Sequence, residues 1–398
     1  MNLNKQILML ADEYEAYAIA CRRKVHQFAE VAGTEEKTKA FIIEEIKKLG
    51  LPYEEVPTTS IIARLETGRP GKTILLRADI DALPLTECEE NLKNPRVCVS
   101  EQADTCHACG HDGHTAMLLT AMQLFVHMKE QLCGTLIFCF EEGEERNSGI
   151  QAIMKALEKY TIDYCYGMHL YAALDEGKIS VDAGPRMAGL QRIDMTFIGK
   201  SGHGSRPDLA ANPLFCAANM LNNLCVAFNN QITAGETVTM GITQFKAGTI
   251  DNLIDDTAYI AGTFRFFSEQ EGKKADAILH NVAEHTAAMH KCRVEYGPNS
   301  TYRNYPIIND SELSAKADKA LRQILPEDAI TSCPPWFASE SFCFYQERYR
   351  GLFVFLGIKS ETEGFGAPHH NDRFDFNESV LKTGVVSTAR IIAELLSC

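Results

Sequence analysis

Three short apolar runs in this 398-residue chain each end in residues that carry charge or bind metals. TILLRADID (73–81) ends in Asp79 and Asp81. TLIFCFEEGEERNSG (135–149) runs into Glu141, Glu142, Glu144 and Glu145, and DYCYGMHL (163–170) reaches His169. A continuous apolar run of this length suits a strand buried on both faces, as in parallel and mixed sheets. Helix-period segments lie between the runs: GHTAMLLTAMQLFVHMKEQL (113–132), closed by Cys133-Gly134, and IQAIMKALEKY (150–160). Strands alternating with helices predict a mixed sheet covered on both faces, with chemistry in the loops at the strands' C-terminal ends.

The first fifty residues read as helical and stop at Leu49-Gly50-Leu51-Pro52. From about residue 190 the order changes. QRIDMTFIG is a strand, NPLFCAANMLNNLCVAFNN a helix, TVTMGITQF and AYIAGTFRFF strands, KKADAILHNVAEHTAAMH a helix and CRVEYG a strand. That β-α-β-β-α-β sequence is the ferredoxin-like split unit, complete in itself. It predicts an α/β chain whose first part, 1–188 and 300–398, is interrupted by an inserted domain over 189–299. In the last part TSCPPWFASESFCFY reads as loop, GLFVFLGI as a strand and ESVLKTGVVSTARIIAELLSC as a terminal helix.

Composition removes several function classes. A net charge of −14 argues against a nucleic-acid or anionic-membrane partner, since phosphate contacts need clustered Lys and Arg. The N-terminus lacks the long apolar region of a signal peptide, and no stretch is long enough to span a bilayer, so a cytoplasmic location is expected. The 14 cysteines follow no framework spacing, which suits buried thiols or ligands in a reducing compartment.

The densest chemistry is CHACGHDGHTAML (106–118), set just before a helix. Cys106-His-Ala-Cys109 could be a redox pair, but Gly110, His111 and Asp112 follow it, and these suit metal binding better than thiol exchange. Haem attachment needs a histidine where Gly110 stands. With the strand ends and GAPHHNDRFDF (366–376), which adds His369 and His370, the thiol, imidazoles and carboxylates predict a divalent-metal site. More donors than one ion needs suggest two ions.

CHACGHDGHTAML, RADIDALP, EERNSG, GMHL and HHNDRFDF, in this order, resemble the metal-dependent aminoacylase/carboxypeptidase family, which includes hippurate hydrolase and the indole-acetyl-amino-acid amidohydrolases. RRKVHQFAE (22–30), GKSGHGSRPD (199–208), GTIDNLIDD (248–256) and GTFRFF (262–267) extend the likeness over almost the whole chain. The resemblance implies a metallopeptidase-like catalytic domain with an inserted lid/dimerisation domain, and two divalent ions, Zn, Mn, Co or Ni. It implies Cys109 as a bridging thiolate, with His111, His169, His370 and Glu145 as ligands. Glu144 would be the general base. His203 would stabilise the oxyanion in a partner subunit, and Asn252 and Arg265 would hold the substrate carboxylate.

The glutamate assignment follows from counting onward from Gly134-Thr135, with Gly149 falling on the family's glycine; Glu141 and Glu142 are the other register. Asp79 and Asp81 orient ligating histidines or cap a turn, Asp112 and His114 cap the helix start, and Arg265 has an internal salt bridge as its alternative. His369 is expected to have no ligand role. Cys106 is either a buried thiol or an oxidisable neighbour of Cys109. Two departures from the family lie near the expected site: Ser341 where an acid is usual, and Glu142-Gly143 where Pro-Ala is usual. The expected activity is hydrolysis of an N-acyl amino acid to a carboxylic acid and a free amino acid, by a homodimer joined through the lid. A dipeptidase or carboxypeptidase acting on dipeptides, and a non-catalytic metal-binding homologue, are the alternatives.

Overall fold

The apolar runs become the middle of a seven-stranded sheet in the computed structural model, which describes residues 2–301 and 303–397. Across the sheet the strands are Tyr53–Val56, Ser60–Glu66, Thr135–Glu141, Thr73–Asp79, Tyr164–Asp175, Arg350–Lys359 and Ile179–Ser180. The four from Thr135–Glu141 to Arg350–Lys359 run parallel. The outer strands are antiparallel, so the sheet is mixed. Parallel neighbours need crossovers. The helices His111–His127 and Ile150–Leu157 supply two of them. Register puts Asp79 opposite Glu141, and both parallel strands therefore finish at the same edge.

The helix His111–His127 is buried on every side from His111 to Phe125. A helix without a polar face has to sit inside the domain, and it lies between Glu15–Phe28 and Val380–Leu395 in one core with Phe138, Leu170 and Leu356. The sequence reading passed over the Tyr53–Val56/Ser60–Glu66 hairpin and the helix Ser311–Leu321. The hairpin's second strand is buried by pairing with Thr135–Glu141, and the helix lays Leu313, Ala317 and Leu321 against Val380–Leu395.

Contacts divide the chain into two units, 1–184, 308–334 and 344–398 in one and 185–307 with 335–343 in the other. In the second unit the sheet order is Val238–Ala247, Thr257–Phe266, Gly189–Ile198, Arg293–Tyr296, all antiparallel. The helices Pro213–Gln231 and Glu269–Met289 close a separate core around Phe197, Met220, Ile260, Phe264 and Ala283. Burial alternates along Thr257–Phe266, as expected for a sheet with one covered face. Residues 335–343 were expected with 300–398 in the first part, but they pack with the second unit. Ala188 N–H donates to the Trp336 and Ala338 carbonyls, and Phe337 meets Phe267 edge-on. No helix among the described residues is long and apolar enough to cross a membrane.

Candidate metal centre

Two glycines explain the spacing of Cys109-Gly-His-Asp-Gly-His114. Gly110 caps the helix with φ of +90°, a left-handed conformation that side chains resist. At Gly113 a Cβ would lie 2.7 Å from Leu170 Cδ1 and 2.9 Å from Phe376 Cζ. The helix can therefore lie against Leu170 in the middle of Tyr164–Asp175 and bring Cys109 and His111 to His169.

Donor atoms from four chain segments then converge. Cys109 Sγ is 3.7 Å from His169 Nε2. His370 Nε2 is 3.2 Å from Glu145 Oε1, which is 3.9 Å from His111 Nε2. Cys109, His111 and His169 form one group able to hold a cation, Cys109, Glu145 and His370 a second, and His111, Glu144 and Glu145 a third. Cys109, His111 and Glu145 each belong to two of these groups, so the groups overlap. His111 Nδ1–H donates to the Asp81 carbonyl at 2.9 Å, with Asp81 Oδ1 at 3.2 Å. That places the proton on Nδ1 and leaves the Nε2 lone pair towards the other donors. Asp81 Oδ2 also accepts from the Glu145 N–H at 3.1 Å, so one side chain orients two candidate ligands.

The two glutamate pairs separate cleanly. Glu141 is fully buried and accepts from Arg77 Nε at 2.6 Å and the Tyr345 hydroxyl at 2.9 Å. Glu142 accepts from the backbone and hydroxyls of Thr58 and Thr59. Glu144 and Glu145 sit in a single 3-10 turn beside His111. Gly143 makes the corner with φ of +61°, and Gly149 is required because a Cβ there would meet the Glu142 carbonyl at 2.7 Å.

Two histidines of the cluster are already committed. His114 Nδ1–H donates to Asp79 Oδ1 at 2.6 Å, and its Nε2 accepts from Leu170 N–H at 2.9 Å. It is a structural clamp and not a helix cap. His369 Nε2 accepts from Ala172 N–H at 3.1 Å, while its Nδ1 lies 3.9 Å from Cys109 Sγ. Asp112 also departs from the capping role expected for it: its carboxylate pairs with Arg22 at 2.7 Å and His26 at 2.8 Å.

The field in the cleft suits a cation. Burial, and then Glu145, push the Cys109 thiol well above its usual range. Burial would lower the His111 pKa, but Asp79 and Cys109 outweigh it and raise it. His169, buried and beside His114 and His369, is held neutral. His111 Nε2 and Glu145 Oε1 are buried and make no hydrogen bond. Orphaned polar atoms of this kind are costly unless something binds them, and the thiol, imidazole and carboxylate donors are those a borderline divalent ion takes. The residues therefore fit such ions. Cys106 is a buried thiol pushed up to about 12, mainly by burial, which is the inert alternative of the two expected.

The second unit holds the other expected residues. His203 and Asn252 lie side by side, because Gly202–His203 pairs with Leu253–Ile254 and Gly204 N–H donates to the Asn252 carbonyl. His203 Nδ1 accepts from Ser205 N–H at 3.1 Å, so its proton sits on the exposed Nε2. Arg265, half-buried, lies on Thr257–Phe266 opposite Thr239 and Leu190. Sequence reasoning missed Arg22, His26, Glu87, Arg96 and Asp375, which surround Asp112. The signal available for Arg22 and His26 was RRKVHQFAE, which sets these two one helical turn apart on one face.

A model of peptidase family M20/M25/M40 matches residues 75–394. The chain is 30% identical over 397 residues to thermostable carboxypeptidase 2 of Saccharolobus solfataricus, covering 98% of each. It is 34% identical over 314 residues to an N-acyl-L-amino acid amidohydrolase of Geobacillus stearothermophilus, covering 77% of this chain and 82% of that one. A dinuclear metal binding peptidase of the M20 family from Bacillus subtilis superposes with a TM-score of 0.82 at 27% identity, covering 97% of this chain and 99% of that one. With a cation-ready cleft at the sheet edge and a family match over most of its length, the chain belongs to peptidase family M20/M25/M40 and is a metal-dependent amide hydrolase.

Proposed function

We infer that the protein hydrolyses the amide bond of N-acyl amino acids, with Cys109, His111, Glu145, His169 and His370 holding two divalent cations. The observation that carries this reading is the convergence of thiol, imidazole and carboxylate donors in overlapping groups, with His111 Nε2 and Glu145 Oε1 buried there and making no hydrogen bond. Cations bound there supply Lewis acidity, polarising the amide carbonyl and bringing the pKa of water towards neutrality. Glu144 accepts the proton as water attacks and delivers it to the leaving amine nitrogen. Glu141 and Glu142 cannot take that role, since arginine, tyrosine and threonine donors already occupy them.

The second unit, as a ferredoxin-like lid over about 189–299, is the homodimer contact. Its His203, with Nε2–H outward, donates to the developing oxyanion in the partner subunit's site, a contribution of about 3–4 kcal/mol. Asn252 and Arg265 bind the substrate carboxylate, for which a guanidinium is the suitable partner. The net charge of −14 argues against nucleic acid and anionic membranes as partners. The test is hydrolysis of N-acetyl and N-benzoyl amino acids against dipeptides, with and without a chelator. Chelator-sensitive release of amino acid from the acyl substrates is expected. Preference for dipeptides gives the carboxypeptidase reading, favoured by the Saccharolobus relative. Full metal occupancy with no hydrolysis gives the non-catalytic one.

A further inference from the structure

Behind the ligand helix, six buried charged groups close into a ring. Asp112 Oδ2 pairs with Arg22 Nε at 2.7 Å and His26 Nδ1 at 2.8 Å. Arg22 Nη2 reaches Asp375 Oδ1 at 3.2 Å, and Arg96 Nη1 reaches the same oxygen at 3.7 Å. Arg96 Nη1 is also 3.2 Å from Glu87 Oε1, which is 3.0 Å from His26 Nε2. All six side chains are at most 4% exposed. Both ring nitrogens of His26 face carboxylates, which only accept, so both must donate and His26 is an imidazolium. Three cations then alternate with three anions, and the ring is neutral. Glu378, 3.3 Å from Arg22, is balanced separately by Arg23 at 2.6 Å.

The ring joins the segments that carry ligands. Asp112 follows His111, and Asp375 lies five residues after His370. Arg96 also grips the His370 segment directly: its Nη2 donates to the Asp372 carbonyl at 3.0 Å, its Nε to the Cys88 carbonyl at 2.7 Å, and Cys88 N–H donates to the same Asp372 carbonyl at 3.0 Å. His370 itself has φ of +63° and a half-exposed side chain, and its backbone N–H donates to the Ala108 carbonyl at 2.9 Å, so the segment is held from its backbone and not by packing of the imidazole. We propose that Arg96 is a positioning residue which, through this ring and the Asp372 carbonyl, sets His370 against the Cys109–His111 helix and thereby controls the cation site that includes His370. This rests on the two-cation reading above.

Titrating the metal-stripped full chain with Co2+ alone, followed by its absorption bands, tests it. Wild type is expected to take two equivalents; one or none ends the two-cation reading. Arg96→Lys keeps a charge for Glu87 and Asp375 but cannot also hold both carbonyls. It is expected to weaken one equivalent about 10–100-fold while the thiolate-to-Co2+ band of the other persists. His370→Ala should weaken that same equivalent, and the double variant should bind no worse than His370→Ala alone. Unchanged affinity in Arg96→Lys, equal weakening of both equivalents, or additive losses in the double variant would overturn the proposal. If Arg96→Lys folds poorly, Glu87→Gln, which leaves the carbonyl bonds but removes a counter-charge, is read in the same way, with selective weakening expected and uniform or absent weakening counting against it.

Discussion

The metal centre and the charge ring hold the same kinds of side chain on opposite sides of one helix end, yet they are built to opposite specifications. In the ring every charge has two opposite neighbours, as Asp112 does between Arg22 and His26. Buried atoms without a hydrogen bond occur in both, Arg96 Nη1 and Asp112 Oδ1 in the ring and His111 Nε2 and Glu145 Oε1 in the centre. What differs is that the ring's charges alternate in sign within ion-pair distance, whereas the centre gathers thiol, imidazole and carboxylate donors around shared positions. The same contrast recurs within one loop, where Glu141 and Glu142 are saturated by protein donors and Glu144 and Glu145 turn towards His111.

The largest test of this contrast is metal removal. Chelation should reduce amide hydrolysis to background and leave the fold intact, since Cys109, His111 and His169 stand outside the main apolar cluster; restoration by added Zn2+, Mn2+, Co2+ or Ni2+ identifies the working ion. Next, Glu144→Ala should lower turnover by about 10²–10⁴-fold with metal content unchanged. Glu141→Gln should instead cost stability, with turnover of the folded enzyme retained. Survival of activity in the first and its loss in the second would reverse the two pairs.

On the ring side, Arg22→Met strands Asp112 and Asp375 without their shared partner and should destabilise the fold by about 3–5 kcal/mol, read by denaturant midpoint. The smallest effect is on pH. Burial and Arg22 pull the His26 pKa down, but Asp112 and Glu87 outweigh them and raise it. A raised folded-state pKa means the contribution is complete below the unfolded value of about 6.5 and is lost as pH rises through the folded one. Wild type should therefore lose stability on the alkaline side, and His26→Gln should be less stable at neutral pH but lack that slope. An identical slope in both would remove His26 from the ring's charge balance.

Much of this was legible before any coordinates. Buried strands reaching Asp79, Glu141 and His169 announced a parallel centre with chemistry at one edge, although the strand through His169 runs on to Asp175 instead of ending there, and CHACGHDGHTAML announced ligand-type residues at the start of a helix. Local pattern could not show that Asp112 serves a charge ring and not a cap, nor that His114 is locked between Asp79 and Leu170. The strand Ser60–Glu66, which joins the sheet through Thr135–Glu141, and the placement of residues 335–343 were likewise invisible, because each depends on a partner far away in the chain.

What the amino-acid order determined by itself, then, was periodicity: which runs are buried strands, which helix has no polar face, and which residue types stand at the exits. Tertiary structure alone decided which of those residues are spent on one another and which are left with a lone pair to offer. The reason is physical. Burial and backbone geometry repeat along the chain at short range, whereas hydrogen-bond satisfaction is settled only where segments such as Arg22, Arg96 and Asp375 meet across more than 250 residues.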